Sequence, residues 1–198
     1  MREGIDPLLR HPEFLRRFNE AVRAASGDAD STITRELTLT LIHSGMPRLS
    51  LVELREWNRL RRELAAASVP ACAAMWTGSG VDDYAEMFAQ LSEPDLRSLT
   101  RLQLHAATLA LEDRDRVSVG EHDLGEGFLA IGDRLPRRDR IFLGSALKAG
   151  PNLEPVAACR ALQLTLSGAA AMRGAEQLRF LRVLASANEK KSRVSRQP

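Results

Sequence analysis

The segment that decides the fold class spans residues 50–64 and reads SLVELREWNRLRREL. Ser50 is followed three positions later by Glu53, the spacing of a capping box, in which each side chain satisfies a backbone N–H at the start of a helix. Beyond this start, apolar residues recur at helical spacing, namely Leu54, Trp57, Leu60 and Leu64. The segment therefore predicts an amphipathic helix with one buried face.

The composition extends this prediction to the whole chain. Its 198 residues fit one domain, and only 5% of them are aromatic, whereas Leu and Ala are abundant. Unbranched side chains lose little rotamer freedom in a helix, so this mixture favours helices over sheets. We predict an all-α fold of eight to ten short helices packed as antiparallel pairs, with a small α-solenoid-like array as an alternative arrangement.

Apolar periodicity and end signals place the other helices along the chain. They are predicted at residues 12–25, 31–44, 70–77, 81–90, 92–112, 124–134, 137–149, 153–171 and 174–188. The alternating stretch Leu37–Leu41 also fits a strand, but nothing nearby offers a pairing partner. Since an isolated strand cannot satisfy its backbone groups, the helix is favoured.

One sequence pattern occurs twice. The pattern L-S-x-x-[E/D]-L-R-x-[W/L]-x-R-L is found at residues 49–60 and 91–102, with a weaker third copy at 178–181. Repeats at this interval are typical of stacked helix pairs. A capping box followed by a leucine stripe also arises readily by convergence, so both interpretations remain open.

Charge is concentrated at the C-terminal end. Residues 189–198 carry a net charge of +3 within a total of +2, which leaves −1 for residues 1–188. We predict a single helical domain over 1–188, with a possible subdivision near 112–123, and a disordered basic tail over 189–198. A near-neutral body argues against nucleic-acid binding, and no apolar run is long enough for a membrane span.

Cys72 and Cys159 are the only cysteines, and each lies in an Ala-rich helical segment. Free cysteines commonly behave as small buried hydrophobes, whereas a disulfide would indicate an oxidising compartment. Residues 1–17 carry four Arg and no apolar core, which is not typical of a secretory signal. We therefore expect reduced thiols and a cytoplasmic protein, or an extracytoplasmic one if the cysteines are disulfide-bonded or Met1 is not the natural start.

Ser145 and Lys148 match the S-x-x-K motif, in which a Lys amine accepts the proton of a Ser nucleophile. The companion motifs K-T-G and S-D-N are absent from the chain. A solvated Lys near a helix C-terminus is the favoured interpretation, because its charge suits the helix dipole. A helical Ser/Lys hydrolase remains an alternative function, and a close contact of the hydroxyl and the amine within a pocket would support it.

Residues 121–127 contain potential metal ligands and glycines. Glu121, His122, Asp123 and Glu126 cluster in sequence, but no H-E-x-x-H or EF-hand spacing accompanies them. Asp123 and Glu126 also suit a capping pair. The glycines Gly125, Gly127 and Gly132 lack the strand and lysine of a phosphate loop. The sequence therefore assigns no catalytic, cofactor-binding or metal-binding residue and implies no cofactor.

These patterns favour a non-enzymatic helical protein-interaction domain, of the adaptor, chaperone-like or inhibitor kind. Its partner is expected to be another protein, because no reactive centre is assembled in the sequence. The expected binding face includes residues 112–127, where acids, Arg and Gly concentrate. Trp57 and Trp76 are alternative anchors if either is exposed. A disulfide-stapled extracytoplasmic domain is a further alternative, and the Arg-rich composition is typical of a GC-rich bacterial genome.

Overall fold

The computed structural model describes residues 11–24, 30–78, 88–112 and 121–194. This part of the chain contains nine α-helices, two short 3-10 helices and no strand, which confirms the predicted all-α class. In chain order the helices are α1 (Pro12–Ala24), α2 (Asp30–Gly45), α3 (Leu51–Ala67), α4 (Val69–Thr77), α5 (Glu93–Leu111), α6 (Glu121–Arg134), α7 (Arg137–Ala149), α8 (Pro155–Ala171) and α9 (Gly174–Val194). The 3-10 helices are Met46–Arg48 and Gly150–Asn152.

Serine caps begin three of these helices. The Ser50 side chain accepts a hydrogen bond from the N–H of Glu53, and the Glu53 carboxylate accepts one in return, which confirms the predicted capping box. Ser92 caps α5 through the N–H of Asp95, and Ser68 caps α4 in the same way. These bonds satisfy backbone donors that a helix start leaves without intrahelical partners.

Helix α8 lies at the centre of the fold. It contacts α3, α4, α6, α7 and α9, and small residues allow this close approach. At Gly168, for example, an added Cβ would lie 2.7 Å from the side chain of Ile131 on α6. A solenoid unit contacts only its neighbours in the array, so the observed packing differs from the solenoid-like alternative.

The two copies of the repeated pattern form the starts of α3 and α5, and these helices run antiparallel. Glu53, early on α3, contacts His105 late on α5, whereas Arg59 further along α3 contacts Asp95 near the start of α5. Equivalent helices of a stacked repeat run in the same direction. The antiparallel contact therefore favours convergence of two capped leucine-rich helices over a solenoid repeat.

A cluster of buried apolar residues joins α1 and α2 to α5. It is formed by Phe14, Leu41, Ala107, Ala110 and Leu111. Residues 37–41 are helical, and the stretch places Leu41 in this cluster with Leu37 packed at its edge. The helical interpretation of the Leu/Thr alternation is thereby confirmed.

Helix α9 continues to Val194, whereas irregular chain was expected beyond Asn188. Residues 189–194 contain no Gly or Pro, and Glu, Lys and Arg are good helix formers, so this sequence is compatible with a continued helix. The predicted helix at 81–90 falls largely outside the described residues. Among those described, no helix combines the length and apolarity needed to cross a bilayer.

Cys72 of α4 and Cys159 of α8 form a disulfide. The expectation of two reduced thiols is wrong in this structure, because α4 and α8 pack closely through small side chains and bring the two Cα atoms to 4.9 Å. Both cysteines are buried, together with Ala65, Leu162 and Leu166. The bond therefore joins the central helix to α4 inside the core.

Candidate binding groove

The residues of the S-x-x-K motif lie on the surface. Ser145 and Lys148 are exposed near the C-terminal end of α7, rather than at a helix start. In the described part of the chain no hydrogen bond joins the hydroxyl and the amine, and neither residue lines either of the two main cavities. The geometry that would support a hydrolase is not seen.

Glu126, in the acidic cluster at the start of α6, contacts two basic side chains. His122 Nε2 lies 3.1 Å from Glu126 Oε1, and Arg179 Nη1 lies 4.0 Å from the other oxygen of the same carboxylate. Among described residues, no three His, Cys, Asp or Glu side chains are grouped to hold a metal ion. Half of the 112–127 binding face expected from sequence, namely residues 113–120, lies outside the described residues.

The two tryptophans belong mainly to the interior. Trp57 is 7% exposed and lies beneath the guanidinium of Arg61, at 4.6 Å from the ring centroid. Trp76 is half-buried, and its indole N–H donates to the carbonyl of Gly150 at 3.2 Å. Neither presents the free aromatic surface that an interface anchor requires.

A concave surface lies between α3 and α8 in the described part of the chain. It consists of two adjoining cavities of about 420 and 470 Å³, which share Arg59 and Arg62. The first cavity is also lined by Arg55, Asn58, Ala170, Arg173 and Gln177, and the second by Glu63, Ala66, Gln163 and Ser167. We call this surface the α3–α8 groove.

Three arginines of α3 share one wall because of helical geometry. Arg55, Arg59 and Arg62 follow the i, i+4, i+7 spacing that places side chains on a common face. Arg173, which follows the end of α8, adds a fourth guanidinium from the opposite side. Its Nη1 donates to the carbonyls of Ala170 and Met172, which fixes the arginine at the mouth of the groove.

Three carboxylates offset the positive charge of Arg59, whereas the neighbouring arginines of the groove lack such partners among the described residues. Its guanidinium contacts Glu56 at 2.7 Å, Asp95 at 2.6 Å and Glu63 at 2.5 Å. The hydrogen bond from Ser92 and the one from Arg59 lower the pKa of Asp95, and these carboxylates raise the pKa of Arg59. The other three arginines of the groove are Arg55, Arg62 and Arg173. None of them has a carboxylate partner among the described residues.

Two buried carboxamides form the floor. Gln177 is 2% exposed; its Nε2 donates to the Ala169 carbonyl and its Oε1 accepts from Arg55 Nε at 2.7 Å. Asn58 is 3% exposed, and its Nδ2 donates to the Leu166 carbonyl at 3.0 Å. Its Oδ1 receives no hydrogen bond from any described atom, although buried polar atoms are rarely left in that state.

The groove was not anticipated from the sequence. The spacing of Arg55, Arg59 and Arg62 is visible in the sequence, but the same spacing occurs on helix faces that are simply exposed to solvent. Arg173 and Gln177 join them only because α8 and the start of α9 pack against α3. Comparisons of the chain with protein-family models, curated proteins and solved structures give no match.

Proposed function

We propose that this chain is a non-enzymatic protein-interaction domain, of the adaptor, chaperone-like or inhibitor kind, and that the α3–α8 groove is its docking surface. The observation that carries the proposal is a concave surface with three arginines that lack carboxylate partners among described residues. Arginine is a frequent energetic anchor at protein interfaces. The lining carries four arginines against one glutamate, and such an excess of positive charge attracts a complementary partner and speeds its association.

The chemistry of the lining suits recognition. Guanidinium and carboxamide groups donate and accept hydrogen bonds but do not exchange protons near neutral pH, as an acid–base catalyst must. The carboxylate in the groove, Glu63, is held in the ion pair with Arg59. The docking surface proposed here replaces the 112–127 segment that the sequence favoured.

Site-specific photo-crosslinking tests this proposal. A photoreactive amino acid at Ser167, an exposed groove residue, is compared with the same amino acid at Ser145, which is exposed on α7. In an extract of the native cell, we expect a discrete partner to crosslink at Ser167 and not at Ser145. Arg62→Glu should suppress that crosslink. Equal labelling from both positions, or labelling that Arg62→Glu leaves unchanged, would contradict the proposal.

We also infer that the domain acts in an oxidising compartment. The Cys72–Cys159 disulfide supports this inference, because such bonds persist outside the reducing cytosol and are rare within it. The sequence favoured the cytoplasm because residues 1–17 are not typical of a secretory signal, with an extracytoplasmic location as the alternative if the two cysteines are disulfide-bonded. Thiol titration of unfolded, unreduced protein from the native cell should find neither cysteine free, and two titratable thiols would contradict the inference.

A further inference from the structure

We propose that the Cys72–Cys159 disulfide holds the α3–α8 groove in its binding shape, so that the groove binds its partner only while this bond is intact. This inference rests on the proposed function and adds how the same site is regulated. It follows from three features of the structure, namely the place of the disulfide beside the groove, the short connection between α3 and α4, and the small buried side chains of α4.

The disulfide contacts one end of the groove. Cys159 Sγ lies 3.7 Å from the carbonyl oxygen of Ala65, and the same oxygen accepts a hydrogen bond from Gln163 Nε2 at 3.0 Å. Gln163 lines the groove, as does Ala66, the residue that follows Ala65. Gln163 also lies one helical turn from Cys159 on α8. The bonded sulfurs therefore meet the groove wall directly, through the backbone of Ala65.

The connection between α3 and α4 is very short. Helix α3 ends at Ala67 and α4 begins at Val69, so Ser68 is the one residue between them. Ser68 has an extended backbone, and its side chain caps α4 through the N–H of Ala71. Since consecutive Cα atoms are only about 3.8 Å apart, a displacement of α4 must also move the last turn of α3. That turn includes Ala66, which lines the groove.

Apart from the disulfide, small side chains make much of the contact between α4 and the core. Its buried residues other than Cys72 are Ala71 and Ala73, whereas Met75 and Trp76 are partly buried. Burial of an alanine removes less apolar surface from water than burial of a leucine. A helix of nine residues is also marginal without tertiary contacts. Loss of the disulfide should therefore loosen α4 before it loosens α3 or α5, which bury several leucines each.

The bond is protected once it has formed. Cys72 and Cys159 are 0% and 3% exposed, and a reducing thiolate must reach a sulfur atom to break a disulfide. The bond therefore stays closed as long as α4 remains packed on α8.

Formation of the bond is a two-electron oxidation by a disulfide donor. One cysteine thiolate attacks the donor disulfide, which gives a mixed disulfide and releases one donor thiol. The second cysteine thiolate attacks the mixed disulfide, closes the Cys72–Cys159 bond and releases the second donor thiol, and the protons of the two cysteines pass to the released thiolates. The groove thus becomes able to bind in the oxidising compartment inferred above.

Hydrogen exchange followed by mass spectrometry tests the role of the disulfide without a partner. The oxidised protein is compared with Cys72→Ala combined with Cys159→Ala. In the double variant, the ratio of protection factors between residues 72–77 of α4 and residues 99–107 of α5 should fall by at least roughly ten-fold, because α4 opens locally. An unchanged ratio would show that the bond stabilises the whole fold evenly, and would overturn the proposal.

Photo-crosslinking from Ser167 tests the effect on the groove. In the same extract and without reductant, the double variant should form at least roughly ten-fold less crosslink than the oxidised protein, because binding falls with the fraction of molecules in the competent shape. Gly45→Ala is the control for destabilisation elsewhere, since it strains the contact of α2 with α5, and neither helix lines the groove. We expect Gly45→Ala to leave the crosslink unchanged.

The outcomes separate this inference from the proposed function. Undiminished crosslinking in the double variant would overturn the inference and leave the proposed function standing. Loss of the helical circular-dichroism signal in the double variant would show that the bond holds the entire fold, and would also overturn the inference. An absent crosslink in the oxidised protein, together with the expected change in hydrogen exchange, would contradict the proposed function and leave the disulfide as the structural support of the groove.

Discussion

Gly45 at the end of α2 lies directly against the backbone of Ala106 on α5. A Cβ added at Gly45 would stand 1.7 Å from the Ala106 carbonyl oxygen, so these helices can approach so closely only because this residue is glycine. We predict that Gly45→Ala forces the helices apart and lowers the free energy of unfolding by roughly 1–3 kcal/mol, as overpacking of a core does. Urea denaturation measures the change.

Gly144 on α7 provides the matched control, because a Cβ there meets no atom within 4 Å. Gly144→Ala should raise the free energy of unfolding by about 0.5–1 kcal/mol, since alanine favours the helix over the unfolded chain. Two glycine-to-alanine changes would then act in opposite directions. A stabilising effect of Gly45→Ala would contradict the described packing of α2 on α5.

The disulfide is expected to contribute strongly to stability. It closes a loop across 87 positions, and the chain-entropy model assigns such a loop roughly 3–5 kcal/mol through its constraint on the unfolded state. Cys72→Ala combined with Cys159→Ala should lower the free energy of unfolding by about that amount. Denaturation with and without reductant checks this, since the double variant should be insensitive to reductant. Equal stability of the oxidised and reduced unaltered protein would contradict the prediction.

Glu53 makes stability depend on pH. Burial alone would raise its pKa, but hydrogen bonds from Ser50 and His105 outweigh burial and lower the pKa overall. A carboxyl group whose pKa is lowered by folding stabilises the protein above its unfolded pKa, and loses that contribution as pH falls through the folded value. Glu53→Gln should therefore destabilise the protein at neutral pH and have a diminishing effect in acid.

Acid and neutral denaturation curves of Glu53→Gln measure this difference. Glu93→Gln is a suitable control, because Glu93 is also in the first turn of a helix and its ion pair in the described part of the chain is with exposed Arg97. Glu93→Gln should change the free energy of unfolding less than Glu53→Gln does, because both side chains of the Glu93–Arg97 pair are exposed. A loss of stability from Glu53→Gln that is as large in acid as at neutral pH would show that the residue acts through something other than its charge.

Features that depend on neighbours in the chain could be predicted from the sequence. The capping box of α3 involves only Ser50 and Glu53, and the buried stripe requires only the helical period, so both followed from residues 50–64. The helical state of Leu37–Leu41 followed from the lack of a strand partner. Each rests on local geometry and on the need to satisfy backbone hydrogen bonds.

Features that depend on packing could not be predicted. Cys72 and Cys159 carry no spacing signal, and they pair because α4 lies against α8. Gln177 reaches Arg55 across 122 positions of chain. Asp95 of α5 adds an ion pair to Arg59 that the spacing of residues along α3 does not predict. Sequence periodicity identifies which residues share a helix face, but not which face of another helix meets it.

Filling the α3–α8 groove tests the central claim most directly. Ser167→Trp places a large side chain in the cavity of about 470 Å³, and Ser145→Trp makes the same change on the exposed surface of α7. We predict that Ser167→Trp suppresses the partner crosslink formed by a photoreactive amino acid at Gln163, an exposed residue of the same cavity, because the indole occupies the space of the partner, while Ser145→Trp leaves that crosslink unchanged. Unchanged crosslinking in Ser167→Trp would place the binding site elsewhere and contradict the account.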